Sequence, residues 1–206
     1  IGYARCTGTY KNCLFDGTYT LYEKSVFEGC TFNVAGDVYN VWTWGSEEAT
    51  FTDCVFNCDG KAMLLYGPAN THLTMNDCTF NDNGGLADLK AAIEIGNDYN
   101  MSYNLVVNNA TVNGFEINNK GIVTNTTLWA NKNSMGPDKL KVTVDGQNAY
   151  KVAVADPELA ALFNNAAAGS TVVLTAGKDY GTVAVNELKD VTIDGNGSAM
   201  IFKTNA

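Results

Sequence analysis

Two aspartates, Asp53 and Asp77, are the residues whose type and spacing best suit acid–base chemistry. They stand 24 residues apart, and each comes directly before a cysteine in the same seven-residue pattern. If that pattern marks equivalent strands stacked at about 4.8 Å, the two carboxylates lie roughly 5 Å apart. Such a pair suits a retaining glycosidase, and carboxylate oxygens also bind Ca²⁺. The sequence therefore offers Asp53 and Asp77 as catalytic candidates, with Ca²⁺ as the cofactor they would admit.

The pattern that relates the two aspartates is clearest in residues 51–57, Phe-Thr-Asp-Cys-Val-Phe-Asn. Related segments begin at Tyr10, Phe27, Met75, Val107 and Leu188. In the first five copies, the position of Cys54 in this pattern is occupied by residues 13, 30, 54, 78 and 110, which are separated by 17, 24, 24 and 32 residues. A repeat of about 20–30 residues that contains short strands is typical of a solenoid. No amphipathic helix separates the early copies, so we predict an all-β fold, a parallel β-helix of several coils.

Alternation within the repeat predicts which side chains face the interior. The cysteine and the phenylalanine two places later point inward, and the residue between them points outward. The last position is always Asn or Asp: Asp16, Asn33, Asn57, Asn81, Asn113 and Asp194. We expect the stacked amides to hydrogen-bond as an asparagine ladder. The position of Asp53 and Asp77 is Asn12, Gly29 and Asn109 in other copies, which favours a polar corner over a catalytic pair.

A second set of segments, 39–45, 61–67 and 90–96, aligns on terminal glycines. The inward positions are then Trp42, Leu64 and Ile93, together with Trp44, Tyr66 and Ile95. The outward positions are Thr43, Leu65 and Glu94. This alignment predicts core packing for both tryptophans.

Three aromatic residues, Tyr99, Tyr103 and Trp129, stand in less regular stretches of the sequence. We expect their side chains to be exposed. Exposed aromatic rings can stack on sugar rings, so these three are the candidate ligand-binding residues.

Charge and composition exclude several functions. The net charge is −9, and only 13 residues are basic, with Arg5 as the single arginine. A nucleic-acid partner is not expected, because phosphate binding needs clustered Lys and Arg. Membrane insertion is not expected, because no apolar run is long enough to span a bilayer. Low charge with abundant Asn, Thr and Gly is typical of extracellular β-rich proteins.

The six cysteines do not form an obvious disulfide framework. Four of them, Cys13, Cys30, Cys54 and Cys78, occupy the inward column, where in-register side chains point the same way and would strain a disulfide. Cys6 and Cys58 lie outside the pattern, and their disulfide state is left open. Without Cys-x-x-Cys, and with His72 as the one histidine, no metal site built on zinc is expected.

The composition changes near residue 151. Asp156-Pro157-Glu158 predicts a helix start, and Gly169 predicts its end. The apolar positions at helical spacing are Leu159, Leu162, Phe163 and Ala166. Strand-like segments follow at 170–177 and 180–185, and then comes Val-Thr-Ile-Asp-Gly-Asn-Gly at 191–197.

This order of helix, Thr-Val-Val-Leu-x-Ala-Gly and Val-Thr-Ile-Asp-Gly-Asn-Gly resembles the opening of a right-handed parallel β-helix of the pectin-lyase-like superfamily. The resemblance implies coils over 1–150, and a capping helix with opening strands over 151–206, packed on the same solenoid. An opening that follows the coils predicts a fragment of a tandem array, a permuted module or a fibre subunit. The last of these would associate head to tail or as a homo-oligomer.

The resemblance also brings an enzyme hypothesis, since the superfamily includes polysaccharide lyases and hydrolases. The lyases use acidic Ca²⁺ ligands with an Arg or Lys base, and the pectin hydrolases use several Asp residues with Gly-His-Gly and Arg-x-Lys. Here Arg5 is the sole arginine and His72 has no flanking glycine, so neither pattern is present.

We therefore predict a non-catalytic extracellular or virion-surface module with a structural and glycan-binding role, of the adhesin or tail-fibre type. Its partner would be a polysaccharide or a cell-surface glycan. The alternative is a polysaccharide lyase or glycoside hydrolase that uses Asp53 and Asp77. A purely structural spacer is the third hypothesis.

Overall fold

The computed structural model describes residues 4–35, 39–84, 91–96, 99–115, 126–132, 135–150, 157–183 and 190–202. The chain divides into two compact units, Ile1–Tyr150 and Lys151–Ala206. Within the described ranges, no helix is both long enough and apolar enough to cross a bilayer. The predicted packing of residues 151–206 on the first unit stays a prediction.

The first unit is built from β-strands. In chain order they are β1 (Ala4–Lys11), β2 (Leu14–Asp16), β3 (Tyr19–Glu28), β4 (Thr31–Asn33), β5 (Tyr39–Thr52), β6 (Val55–Cys58), β7 (Lys61–Leu65), β8 (Thr71–Asn76), β9 (Thr79–Asp82), β10 (Ile93–Ile95), β11 (Tyr103–Asn108), β12 (Thr111–Asn113), β13 (Trp129–Asn131), β14 (Leu140–Val144) and β15 (Gln147–Asn148). The strands β2, β4, β6, β9 and β12 form a five-stranded sheet, and the others form a ten-stranded sheet. The strands β14 and β15 are antiparallel, and the other paired strands of these two sheets are parallel. The predicted all-β class is confirmed.

The five-stranded sheet consists of the ends of the seven-residue repeats. Its inward phenylalanines are Phe15, Phe32, Phe56 and Phe80. Their rings stack face to face, with successive centroids 4.7, 4.8 and 5.2 Å apart. These distances match the spacing of neighbouring strands, so identical side chains fill the interior from one repeat to the next. The outward residues between cysteine and phenylalanine are exposed or half-buried, as predicted.

The asparagine ladder is present along this sheet. Asn33 Nδ2 donates to Asp16 Oδ1 over 3.1 Å, and Asn57 Nδ2 donates to Asn33 Oδ1 over 2.8 Å. The series continues through Asn81 and Asn113, each donating to the preceding side chain over 2.8 Å. Asn33, Asn57 and Asn81 therefore each donate to one neighbour and accept from the other.

The cysteine column behaves as core. Cys30, Cys54 and Cys78 are buried, whereas Cys13 is half-buried. All six cysteines are free thiols, including Cys6 and Cys58, which the sequence left open. Burial raises the pKa of the Cys58 thiol to about 11, which keeps it protonated and unreactive near neutral pH.

The ten-stranded sheet divides at β5, which is 14 residues long. The first half of β5 pairs with β7, and its second half pairs with β8. The sheet continues from β7 through β10 to β13, and from β8 through β11 to β14. The described parts of the segments that connect these two strand rows, 66–70, 99–102 and 135–139, therefore lie side by side. Connecting segments on a regular scaffold often carry function.

The predicted glycine alignment of the second segment set is right for its first two segments and one residue off in the third. The true register places Val41 beside Met63 and Ile93, all fully buried. Trp42 pairs with Leu64, as predicted, but Leu64 pairs with Glu94 and not with Ile93. Thr43 and Leu65, expected outside, are fully buried, and Trp42 and Trp44 are only half-buried.

The physical reason is the position of the third glycine, because Gly67 stands four residues after Met63 whereas Gly96 stands three residues after Ile93, the partner of Met63. β5 also holds two extra residues relative to β3, one between Trp42 and Gly45 and one between Ser46 and Glu48, so its alternation shifts twice after Trp42. A Cβ on Gly45 would lie 2.7 Å from the Tyr22 ring, and one on Gly67 would lie 2.1 Å from the Trp44 carbonyl oxygen. Neither position therefore has room for a side chain.

The second unit holds the helix α1 (Pro157–Asn164) and the strands β16 (Thr171–Val173), β17 (Asp179–Val183), β18 (Thr192–Asp194) and β19 (Ala199–Phe202). β16 pairs with β18, and β17 pairs with β19, both in parallel. Its core contains Leu159, Phe163, Val172, Leu174 and Tyr180.

The helix prediction is confirmed with two corrections. The helix ends at Asn164, before the predicted stop at Gly169. Leu162, expected on the apolar face, is 42% exposed, because the small core is filled by Leu159 and Phe163. The predicted cap Asp156 lies outside the described residues.

Candidate functional site

Asp53 and Asp77 lie at the corner between the two sheets, after β5 and β8. Both are exposed, and their φ angles are +52° and +54°. Other repeats place Asn12, Gly29 and Asn109 there with φ between +51° and +60°. Asn, Asp and Gly tolerate this left-handed conformation better than other residues, so the backbone explains the choice of side chain.

The surroundings of the pair are those of a structural corner. Asp77 Oδ1 accepts a hydrogen bond from Asn109 Nδ2 over 2.7 Å, and the Asn109 backbone N–H donates to Asp145 over 2.7 Å. In the part of the chain that is described, no group of three or more His, Cys, Asp or Glu side chains could hold a metal ion. A catalytic role for Asp53 and Asp77 stays a prediction, and the geometry explains them without it.

Two of the three predicted sugar-stacking residues are in the core. Trp129 and Tyr103 are each only 2% exposed, so their expected exposure is wrong. Trp129 begins β13 and packs edge-on against Tyr150, with centroids 5.7 Å apart. The Tyr103 hydroxyl accepts from the Gly67 backbone N–H and donates to the Gly67 carbonyl oxygen, at 2.9 and 2.8 Å. Tyr103 therefore anchors a connecting segment from inside.

Tyr99, the third prediction, is exposed and belongs to a larger aromatic group. Its ring is 40% exposed and meets Trp44 edge-on at 5.2 Å and Tyr66 at 5.5 Å. Trp44 meets Trp42 at 4.7 Å, and Trp42 lies nearly parallel to Tyr66 at 6.2 Å. We call Trp42, Trp44, Tyr66 and Tyr99 the aromatic platform.

The platform is held in place by the sheet beneath it. Trp42 Nε1–H donates to the Tyr66 carbonyl oxygen over 2.8 Å, which fixes the indole orientation. Tyr39 packs against Trp42 at 5.8 Å and extends the group along β5. The rings need little ordering to present flat apolar surface to a ligand.

Sequence reasoning missed the tryptophans because it placed them in the core. The available signal was Trp-Thr-Trp itself, since alternation makes both tryptophans face the same way. Only the register decides which way. Val41 pairs with Met63 and both are fully buried, so the alternate positions Trp42 and Trp44 face outward.

An ion cluster lies beside the platform in the same strand row. Glu94 on β10 pairs with Leu64 on β7, and the Glu94 side chain is 6% exposed. Lys61 Nζ lies 2.9 Å from its Oε2, and Lys132 Nζ lies 3.3 Å from Oε1 without a well-directed hydrogen bond. Burial opposes ionisation of Glu94, but Lys61 and then Lys132 outweigh it and hold its pKa below the usual range.

A polar cleft of about 430 Å³ opens on the other side of the connecting segments. Its lining residues are Glu47, Asn70, Thr71, His72, Ser102, Tyr103, Asn104, Asp138, Lys139 and Lys141. Asn70 Oδ1 accepts from the Ser102 backbone N–H over 2.9 Å, and Asn104 Nδ2 contacts His72 Nδ1 at 3.0 Å. The cleft therefore has a hydrogen-bonded polar floor.

Comparison with known proteins gives no relative, since no family model, no curated protein and no solved structure matches the chain.

Proposed function

We propose that residues 1–150 form a right-handed parallel β-helix of the pectin-lyase-like kind, and that this module binds glycans on its aromatic platform without cleaving them. Its setting would be extracellular, on a cell surface or on a virion, as in an adhesin or tail fibre. The observation that carries the proposal is the outward-facing platform of Trp42, Trp44, Tyr66 and Tyr99.

Repeated parallel pairing supports the β-helix. The five-stranded sheet takes one strand from each successive repeat, and the partners are 17, 24, 24 and 32 residues apart. Phenylalanine stacks and the asparagine ladder repeat the same contact from strand to strand. A β-helix is built in this way, because each short repeat adds one parallel strand to the sheet.

Ring geometry supports carbohydrate as the ligand. The C–H faces of a sugar pack on flat aromatic rings, and tyrosine or tryptophan adds a polar group at the rim. Tyr99 stands edge-on to Trp44, so the platform offers faces in more than one direction. The nearby Lys61 and Glu94 add charged groups that can meet hydroxyls.

Binding is favoured over catalysis by the state of the carboxylates. Asp53 and Asp77 occupy corner positions with left-handed backbone conformation, and Asp77 already accepts a hydrogen bond from Asn109. Glu94 is buried between two lysines, a setting that holds it ionised. A general acid needs a raised pKa, which is the opposite tendency.

The test is a panel of neutral and acidic polysaccharides, with and without Ca²⁺, that reads binding and bond cleavage together. Tyr99→Ala should weaken binding about 2- to 10-fold, the range for loss of one aromatic contact. Leu14→Ala is the matched control, because Leu14 is also a large exposed side chain, 65% exposed, on the other sheet. It should bind like the parent protein.

Two results would contradict the proposal. Cleavage that disappears in Asp53→Asn or Asp77→Asn would make the protein a lyase or hydrolase. Absence of binding across the panel would leave the structural spacer.

A further inference from the structure

The polar cleft is charged differently at its two ends. Glu47, on β5, lines one end, and Lys139 and Lys141, beside and on β14, line the other. Asp138 lies at the basic end and offsets one of its two positive charges. Within the described ranges, none of Glu47, Lys139 and Lys141 forms an ion pair.

Strand order fixes the distance between the ends. The sheet runs from β5 through β8 and β11 to β14, so three strand spacings of about 4.8 Å separate Glu48, the neighbour of Glu47, from Lys141, roughly 14 Å. His72 pairs with Asn104, and Asn104 pairs with Lys141, so one row of side chains crosses the cleft. Hydroxyl and amide groups thus fill the space between two opposite charges.

The acidic end keeps a net negative charge. Glu48 is next to Glu47 but is matched by Lys24, whose Nζ lies 2.9 Å from Glu48 Oε2. One lysine therefore faces two carboxylates at this end. A ligand amine would find an acceptor there, and a ligand carboxylate or sulfate would find two lysines at the opposite end.

The cleft adjoins the aromatic platform through shared segments. The segment from Tyr66 to Asn70 carries a platform ring at its start and a cleft amide at its end. The segment from Tyr99 to Ser102 likewise begins with a platform ring and ends with a residue that lines the cleft. Tyr103 fixes this arrangement from below through both hydrogen bonds to Gly67. The same two segments therefore position both the platform and the cleft.

We infer that the polar cleft binds a doubly charged stretch of glycan, with an amino sugar at the Glu47 end and an acidic sugar at the Lys139 and Lys141 end. The inference rests on the proposed function, and it names the class of glycan. The acidic group is an oxyanion, either a carboxylate or a sulfate ester. The charged groups belong to different rings, since their separation exceeds one sugar ring.

The experiment compares four forms of one polymer of alternating hexosamine and uronic acid, binding to the whole chain. The forms are N-acetylated, N-deacetylated, carboxyl-reduced and both N-deacetylated and carboxyl-reduced. The first form carries only negative charges, the second carries charges of both signs, the third is uncharged and the fourth carries only positive charges. An N-deacetylated polymer that is O-sulfated after carboxyl reduction distinguishes sulfate from carboxylate. The form with both charges should bind roughly 2- to 5-fold more tightly than either singly charged form, as expected for exposed charge pairs. The gain should shrink at high salt.

Variants assign each charge to its end. Lys139→Met with Lys141→Met should remove the advantage of the acidic groups, and Glu47→Gln should remove the advantage of the amines. Both should weaken binding of the doubly charged form more than binding of the uncharged form. Lys11→Met is the control, because Lys11 is an exposed lysine paired with Glu28 on the first strands.

The outcomes separate the two proposals. Equal binding of all forms, weakened in Tyr99→Ala, would overturn the charged cleft and keep the glycan-binding platform. Charge dependence unaffected by the lysine and Glu47 variants would also overturn the inference. Absence of binding to every form would overturn both.

Discussion

Asn57 is the rung of the asparagine ladder whose removal gives the sharpest prediction. Its amide donates to Asn33 and accepts from Asn81, each over 2.8 Å. Its side chain is half-buried in the middle of the five-stranded sheet. Asn57→Ala therefore removes two side-chain hydrogen bonds and leaves one group on each neighbour to find water.

The expected loss follows from these contacts. Each hydrogen bond contributes about 0.5–1.5 kcal/mol net, so Asn57→Ala should lower the free energy of unfolding by about 1–3 kcal/mol. Asn57→Asp should be at least as harmful, because a carboxylate keeps the acceptor role toward Asn81 but cannot donate to Asn33. Asp16→Asn should cost less than about 0.5 kcal/mol, since Asp16 ends the ladder and acts there only as an acceptor.

The assay is urea unfolding followed by tryptophan fluorescence. The three tryptophans, Trp42, Trp44 and Trp129, all belong to the first unit, so the signal reports on that unit alone. With slopes of about 1–3 kcal/mol per molar urea, the midpoint should fall by roughly 0.5–1 M in Asn57→Ala. Asn113→Ala is the matched control, because Asn113 is exposed and makes a single rung contact with Asn81.

Equal midpoints for Asn57→Ala and Asn113→Ala would refute the reasoning. So would an Asn57→Asp variant as stable as the parent, because the donor role would then contribute nothing. A changed slope with the same midpoint would instead point to a changed unfolded state.

Two further predictions concern carboxylates. Asp77→Asn should leave stability within about 0.5 kcal/mol, whereas Asp77→Val should cost about 1–2 kcal/mol because φ is +54°; equal urea midpoints for the two variants would contradict a conformational role. Glu94→Gln should cost about 1–3 kcal/mol, less than a fully buried ion pair because Lys61 and Lys132 reach water. Folding lowers the pKa of Glu94, so the ionised side chain stabilises the protein above the usual value of 4.5. This stabilisation is lost as the pH falls through the lower folded pKa. Acid unfolding followed by fluorescence should therefore depend less on pH in Glu94→Gln.

The candidate site was only partly predictable. Tyr99 was expected to be exposed because it lies in an irregular stretch, and it is. Trp129 lies in an equally irregular stretch, yet it begins a strand paired with β10 and is buried. Irregular sequence indicates variable length between repeats, but it does not say which residues return to the core.

The seven-residue repeat by itself determined the all-β class, the inward cysteines and phenylalanines and the asparagine ladder. Those features depend on alternation within one strand and on stacking of like residues, which a sequence displays directly. Only the tertiary structure decided that Trp42 and Trp44 face outward. Side-chain direction in a strand has a period of two, so a register difference of one residue reverses it, and only the strand pairing shows that Ile93 lies beside Met63 and not beside Leu64.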